Sequence, residues 1–176
     1  MAILKFRAYL EEDDSVYRDI AIKHSHNFYD LFLQVVKSFE FDQKHHATIY
    51  RSNDKWLRGR EISVAKYEKE YVIDPLIMTD TQIGSEIKDT NQRFVLEYDF
   101  EKHWIFLLEL ININKEEDPR LNYPTITRSE GIGPSQYGVK SILGDRFADI
   151  EEKYDLKETL EGFGVEGDIP TKPSED

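Results

Sequence analysis

Six apolar side chains, Phe28, Leu31, Phe32, Val35, Val36 and Phe39, recur at i, i+3, i+4, i+7, i+8 and i+11. Only a 3.6-residue period places all six on one face, so the spacing predicts an amphipathic helix over 27–39. Ser25 or Asn27 can cap its start, and Asp30 suits the positive end of the helix dipole. One helix with one apolar stripe cannot bury itself. The rest of the chain must supply the surface it covers.

The flanking segments read as strands. Residues 3–9 alternate Ile3, Lys5, Arg7 and Tyr9 with Leu4, Phe6 and Ala8, and Val16 to Lys23 follows an acidic turn at Glu11 to Ser15, an opening hairpin. Short strands are expected at 47–51 and 55–62 around Ser52-Asn53-Asp54, with an extended piece at Tyr71-Val72-Ile73. Thr79 and Gln82 have capping-box spacing for a short helix over 79–87. Strands over 92–100 and 104–113 flank the tight turn Glu101-Lys102-His103. The second is apolar on both faces, Trp104, Phe106 and Leu108 against Ile105 and Leu107, as in a central strand buried on two sides.

The expected fold class is therefore α+β. It is a mixed sheet of β-grasp or α/β-roll type covered by one amphipathic helix, with a C-terminal loop-plus-helix extension. The expected organisation is a core domain over 1–145, a helical extension over 146–163 and an acidic, mobile tail over 164–176.

Composition removes several chemistries. The chain has no cysteine, which excludes disulfides, thiol nucleophiles, thiolate zinc sites and iron–sulfur clusters. With 35 acidic and 23 basic residues the net charge is −12, a field that repels phosphate backbones. No secretory signal is read at the N-terminus, and the apolar stretches are too short to span a bilayer, so the expected location is cytoplasmic.

No P-loop, HExxH, GxSxG or strand-borne GxGxxG is present, and Gly131 to Gly138 lacks a Lys-Ser/Thr ending. His24, His26 and His45 could together ligate a metal, with Asp42 adding an oxygen; the simpler reading is solvated loop histidines, and no metal or other cofactor is expected. Asp99, Glu101 and His103 could form an acid/base group, against the simpler reading of an exposed turn. Arg51, Lys55, Trp56, Arg58 and Arg60 are the one basic and aromatic cluster, able to stack a base or grip phosphates, or to lie on the solvent face of two strands. Residues 116–138 are expected to form a long loop, and its segment 120–138 to be ordered because Leu121, Tyr123, Ile126, Ile132 and Tyr137 favour burial. The expectation lays it near the Tyr98–Trp104 hairpin with Tyr123 and Tyr137 as anchors and Arg128 and Glu130 exposed.

Three motifs carry a resemblance. Phe39-Glu40-Phe41-Asp42-Gln43-Lys44-His45 after the helix is similar to a Phe-Gly-Trp-Asp-x-x-His segment. Phe94 to Phe100 followed by Trp104 is similar to a Tyr-Asp-Phe-x-x-x-Trp hairpin. Tyr123-Pro124 with Glu130 to Gly138 is similar to a Tyr-Pro…Gly-Glu-Gly loop. Together they resemble the plasmid pRiA-type open-reading-frame-three-like family, also described as an insertion-element passenger, TnpR-like protein, over roughly residues 3–145. The resemblance implies an α+β roll, cytoplasmic, without a defined biochemical role and sometimes carried on mobile elements. Ala47 stands where the family has a second histidine, and Gly133 and Tyr137 stand where it has cysteines. Nor does the TnpR label imply recombination, because Met1 to Leu10 contains no serine.

The functional expectation is a non-enzymatic protein-interaction module, with an unknown protein as its partner. Its binding candidates are Arg51, Lys55, Trp56, Arg58, Arg60, Tyr98, Asp99, Trp104, Tyr123, Arg128, Glu130 and Tyr137. The alternatives are a nucleic-acid accessory protein using the Arg51–Arg60 hairpin, and a metal-dependent enzyme using His24, His26 and His45.

Overall fold

The expected opening hairpin is β1 (Ile3–Leu10) and β2 (Asp13–Lys23), followed by helix α1 (Phe28–Ser38). Then come β3 (Ala47–Ser52), β4 (Glu61–Ser63), β5 (Leu76–Ile77), β6 (Arg93–Tyr98), β7 (Trp104–Asn114) and β8 (Thr125–Glu130). They form one sheet in the order β5-β4-β3-β6-β7-β1-β2-β8, antiparallel except for the β4–β5 pair. This computed structural model describes residues 1–137 and falls into two units, 1–131 and 132–176. All these elements belong to the first. The extension expected over 146–163 and the tail over 164–176 lie outside the described residues.

The α+β mixed sheet, with one long helix among the described residues, is as expected. Helix α1 starts with a capping box: the Asn27 side chain accepts from the Asp30 amide at 2.9 Å, and the Asp30 carboxylate accepts from the Asn27 amide at 3.2 Å. It ends in a Schellman motif, where the amides of Glu40 and Phe41 donate to Lys37 and Val36 at 2.8 and 2.9 Å. Glu40 therefore takes a left-handed φ of 64°, at the position where the family pattern above has glycine. The stripe Phe28, Leu31, Phe32, Val35, Val36 and Phe39 is buried, and its rings meet those of the sheet: Phe28 on Phe94, Phe32 on Tyr98 and Phe39 on Phe106.

Strand β7 is central, as its apolar pattern predicts, lying between β6 and β1. Its two faces differ, however. Trp104, Phe106 and Leu108 are buried toward the helix, while Ile105 and Leu107 are half-buried on the other side.

Four local expectations change. The strand expected over 55–62 shrinks to Glu61–Ser63, because Trp56 adopts a φ of 59° and Gly59 closes onto the Arg51 carbonyl at 2.8 Å. The extended piece moves from 71–73 to Leu76–Ile77. The helix over 79–87 is two 3-10 turns, Met78–Asp80 and Ile83–Glu86, neither with a side-chain cap. Finally, the loop over 116–138 contains β8, which pairs with β2 at the far edge of the sheet. Two strands, β1 and β2, separate it from β7, so it does not lie along the Tyr98–Trp104 hairpin. Thr125, Ile126 and Thr127 favour strand, and an available edge on β2 decides the outcome.

Candidate functional site

The register of six strands builds two rows, each five strands long, across the sheet face opposite α1. In the first, Arg93 faces Glu109, Glu109 faces Arg7, Arg7 faces Asp19, and Asp19 faces Arg128, so charges alternate from β6 to β8. Opposite charges directly across a strand pair attract, and the best-formed pair is bidentate: Arg7 donates to Asp19 at 2.8 and 2.9 Å. That contact holds the Arg7 guanidinium above its ordinary pKa. In the second row Tyr50 faces Val95, Val95 faces Leu107, Leu107 faces Tyr9, and Tyr9 faces Tyr17. The rows interlock, because Arg7 lies 4.2 Å from the Tyr17 ring centroid and Tyr9 donates its hydroxyl to Glu109 at 3.2 Å.

A third, shorter row holds Ser63, Thr48, Glu97 and Ile105. Glu97 has no cation beside it in the row. Its carboxylate accepts instead from outside: from the Tyr50 hydroxyl at 3.4 Å, from Arg58 at 3.4 Å, and it lies 3.2 Å from His103 Nδ1. A cleft of about 310 Å³ opens here, lined by Thr48, Tyr50, Tyr67, Glu97 and Phe100 with the exposed Glu68 and Lys69. Tyr67 is held by the Ala47 backbone, accepting from its amide at 3.2 Å and donating to its carbonyl at 3.1 Å, and its ring meets Phe100 edge-on. Burial pushes the Tyr50 and Tyr67 hydroxyls above their ordinary pKa, so both stay protonated donors.

The residues singled out from sequence scatter around this face. Arg58 reaches the cleft, but Arg51 is paired with Glu86, and Lys55 is exposed on the 53–60 turn. Trp56 lies half-buried beneath Arg93, whose guanidinium is 4.5 Å from its ring centroid. Half-buried Arg60 accepts the Arg51 amide at its carbonyl. Tyr98 and Trp104 are core residues, Trp104 packing its ring 4.8 Å from Phe41. Asp99 is buried in the β6–β7 turn at a φ of 62°, accepting from the amides of Glu101 and Lys102 at 3.3 and 3.4 Å. It is thus a turn-former. Tyr123 accepts from the Asp118 amide at 3.0 Å, and Arg128 pairs with Glu130 at 3.1 Å on the β8 edge. Tyr137 is exposed and belongs to the second unit.

The histidines do not converge. His24 and His26 precede α1, where their carbonyls hold Gly84 and Ile83, whereas His45 follows it, 3.7 Å from Asp99 and 3.9 Å from Asp42. Eleven helical residues, about 16 Å, lie between them. Among the described residues no group of three or more His, Cys, Asp or Glu is arranged to hold a metal ion. Among them, too, no helix is long and apolar enough to cross a membrane.

None of the cleft residues Tyr50, Tyr67, Glu97 and Phe100 is among the binding candidates read from sequence, where Glu97 and Phe100 enter only within the 94–100 hairpin motif, and the Arg7–Asp19 pair is not among them either. The one local signal is Glu97 itself, a carboxylate among the apolar residues of β6.

Comparison with known proteins fits this architecture. A crystal structure of a protein of unknown function from Methanosarcina mazei Go1 is similar, with 16% identity and a TM-score of 0.68 over 98% of this chain and 92% of the other. At that identity the likeness concerns the fold alone. No curated protein matches the chain. Residues 3–138 match the family described as plasmid pRiA4b ORF-3-like protein, and the chain belongs to that family.

Proposed function

We propose that this protein is a non-enzymatic interaction module that receives a protein partner on the open face of its sheet. The supporting observation is a pair of rows, each five strands long: an alternating-charge row from Arg93 to Arg128 beside a Tyr-rich row from Tyr50 to Tyr17. Tyr and Arg carry a disproportionate share of binding energy at protein interfaces, because they combine large contact area with directed polar groups. Here most of these side chains are half-buried and pre-organised by their neighbours, which lowers the entropy cost of docking. Within the rows Arg7 is paired with Asp19, Arg93 with Glu109 and Tyr9 with Glu109, an arrangement suited to recognition more than to proton transfer. Pairing of Arg51 with Glu86 also weakens the nucleic-acid alternative. The plasmid origin in the family description suits a partner encoded on, or targeted by, a mobile element.

Photo-cross-linking in cells that carry the gene tests the reading. A benzophenone side chain in place of Tyr9 should yield adducts to one predominant polypeptide, and the same group in place of the exposed Lys37 on α1 should not. Adducts from Lys37 and none from Tyr9 would overturn it.

A further inference from the structure

We infer that the cleft over Thr48, Tyr50, Tyr67, Glu97 and Phe100 is a receptor for an organic cation, a guanidinium or ammonium group borne on a flexible chain. The inference rests on the open face being a binding surface and names the chemistry that one end of it recognises.

Two carboxylates on the same face set the argument. Asp19 is satisfied by a bidentate guanidinium at 2.8 and 2.9 Å, the usual range for charge-assisted bonds. Glu97 is not. Its side chain is 13% exposed, yet its contacts to Tyr50, Arg58 and His103 lie at 3.4, 3.4 and 3.2 Å. A carboxylate has about four acceptor sites, so Glu97 retains capacity for a closer cationic donor. Partial burial makes such a donor worth more than at an open surface.

The walls have matching chemistry. Tyr50, Tyr67 and Phe100 present aromatic rings, whose faces attract cations, and the cleft volume of about 310 Å³ is enough to lodge a long side-chain end. The protein's own Arg58 shows the mode. Its guanidinium lies 4.9 Å from the Tyr50 ring centroid and 3.4 Å from Glu97. Arg58 comes from the 53–60 turn, its side chain is 44% exposed, and a pair so exposed is weak. It therefore acts as a displaceable occupant at the rim. The neighbouring Lys69 is engaged by Glu61 at 3.0 Å and by the Tyr71 ring at 4.9 Å, and Glu68 adds a second negative charge to the lining.

Amide NMR shifts of residues 47–52 and 93–98 in the full chain provide the readout. The probes are agmatine, an Arg-containing tetrapeptide with blocked ends, an uncharged alcohol of similar length and inorganic phosphate. Agmatine should shift these amides at concentrations where the alcohol does not. Removing the rim competitor by Arg58→Ala, a change at an exposed side chain, should tighten agmatine about two- to fivefold. Glu97→Gln should weaken it about tenfold or more, with circular dichroism reporting that the fold is kept. Tighter binding of the tetrapeptide than of agmatine assigns the cation to a polypeptide, and the reverse order assigns it to a small free amine or guanidine. Equal shifts with the alcohol, phosphate shifting the same amides in place of agmatine, or unchanged or weaker agmatine binding in Arg58→Ala would overturn the proposal. Cross-linking at Tyr9 without agmatine binding would remove the cation receptor and leave the interaction surface. Agmatine binding without cross-linking would do the opposite.

Discussion

Arg18 donates from Nε to the Ser38 carbonyl at 2.9 Å, so a guanidinium from β2 closes the C-terminus of helix α1. The same side chain donates from Nη1 to the carbonyls of Tyr17 and Glu130, both at 2.9 Å, and lies 4.6 Å from the Phe39 ring centroid. Helix, second strand and edge strand β8 thus share one buried cation, seated where the helix dipole is negative. Burial pushes its pKa below the ordinary arginine value, and the nearby Glu40 carboxylate opposes that shift.

Arg18→Met should therefore orphan backbone acceptors while keeping apolar bulk. The expected cost is about 2–3 kcal/mol in chemical denaturation, the usual range for stranding buried polar groups. A cost under about 1 kcal/mol would show that water replaces the guanidinium freely.

Phe32 is 2% exposed, with its ring centroid 5.4 Å from Tyr98 and 5.9 Å from Tyr29. Phe32→Ala should leave a cavity between helix and sheet and cost about 3–5 kcal/mol. A melting temperature lowered by only about one or two degrees would contradict that packing.

Glu40 holds a φ of 64° that glycine adopts without penalty. Comparing Glu40→Gly with Glu40→Gln separates the backbone effect from the loss of charge near Arg18. The glycine variant should be the more stable of the two by about 0.5–1 kcal/mol, net of its larger unfolded-state entropy. A less stable glycine variant would mean that the Schellman turn carries no strain.

Burial raises the pKa of Tyr67, Tyr50 and Tyr98 above 10.0. The fold thus favours their neutral form. Below pH about 10 both folded and unfolded tyrosines are protonated and this contribution is fully present; above it the unfolded state ionises first and stability falls. Urea midpoints measured through the alkaline range should decline above pH about 10, less steeply in Tyr67→Phe. An identical slope in that variant would show that Tyr67 does not contribute.

The helix was legible because its six apolar residues and its Asn27–Asp30 cap lie within thirteen positions, and local periodicity encodes such an element. The β1–β2 and β6–β7 hairpins were legible for the same reason. Strand β8 was hidden by the prolines and glycines around it. Its Thr-Ile-Thr run is a strand only because β2 offers a free edge, and that edge is a property of the assembled sheet.

What the sequence by itself determined is the class of object: an acidic α+β chain without cysteine chemistry, with an amphipathic helix over 27–39 that needs a sheet to cover. Tertiary structure alone decided the site. The charge row joins residues 7, 19, 93, 109 and 128, and the cleft joins Thr48, Glu97 and Phe100 with Tyr67 from a connecting segment. No window of neighbouring residues contains these relationships. They exist because strand register is set cooperatively by pairing and packing, and a slip of one residue would send the strand-borne side chains among them to the opposite face.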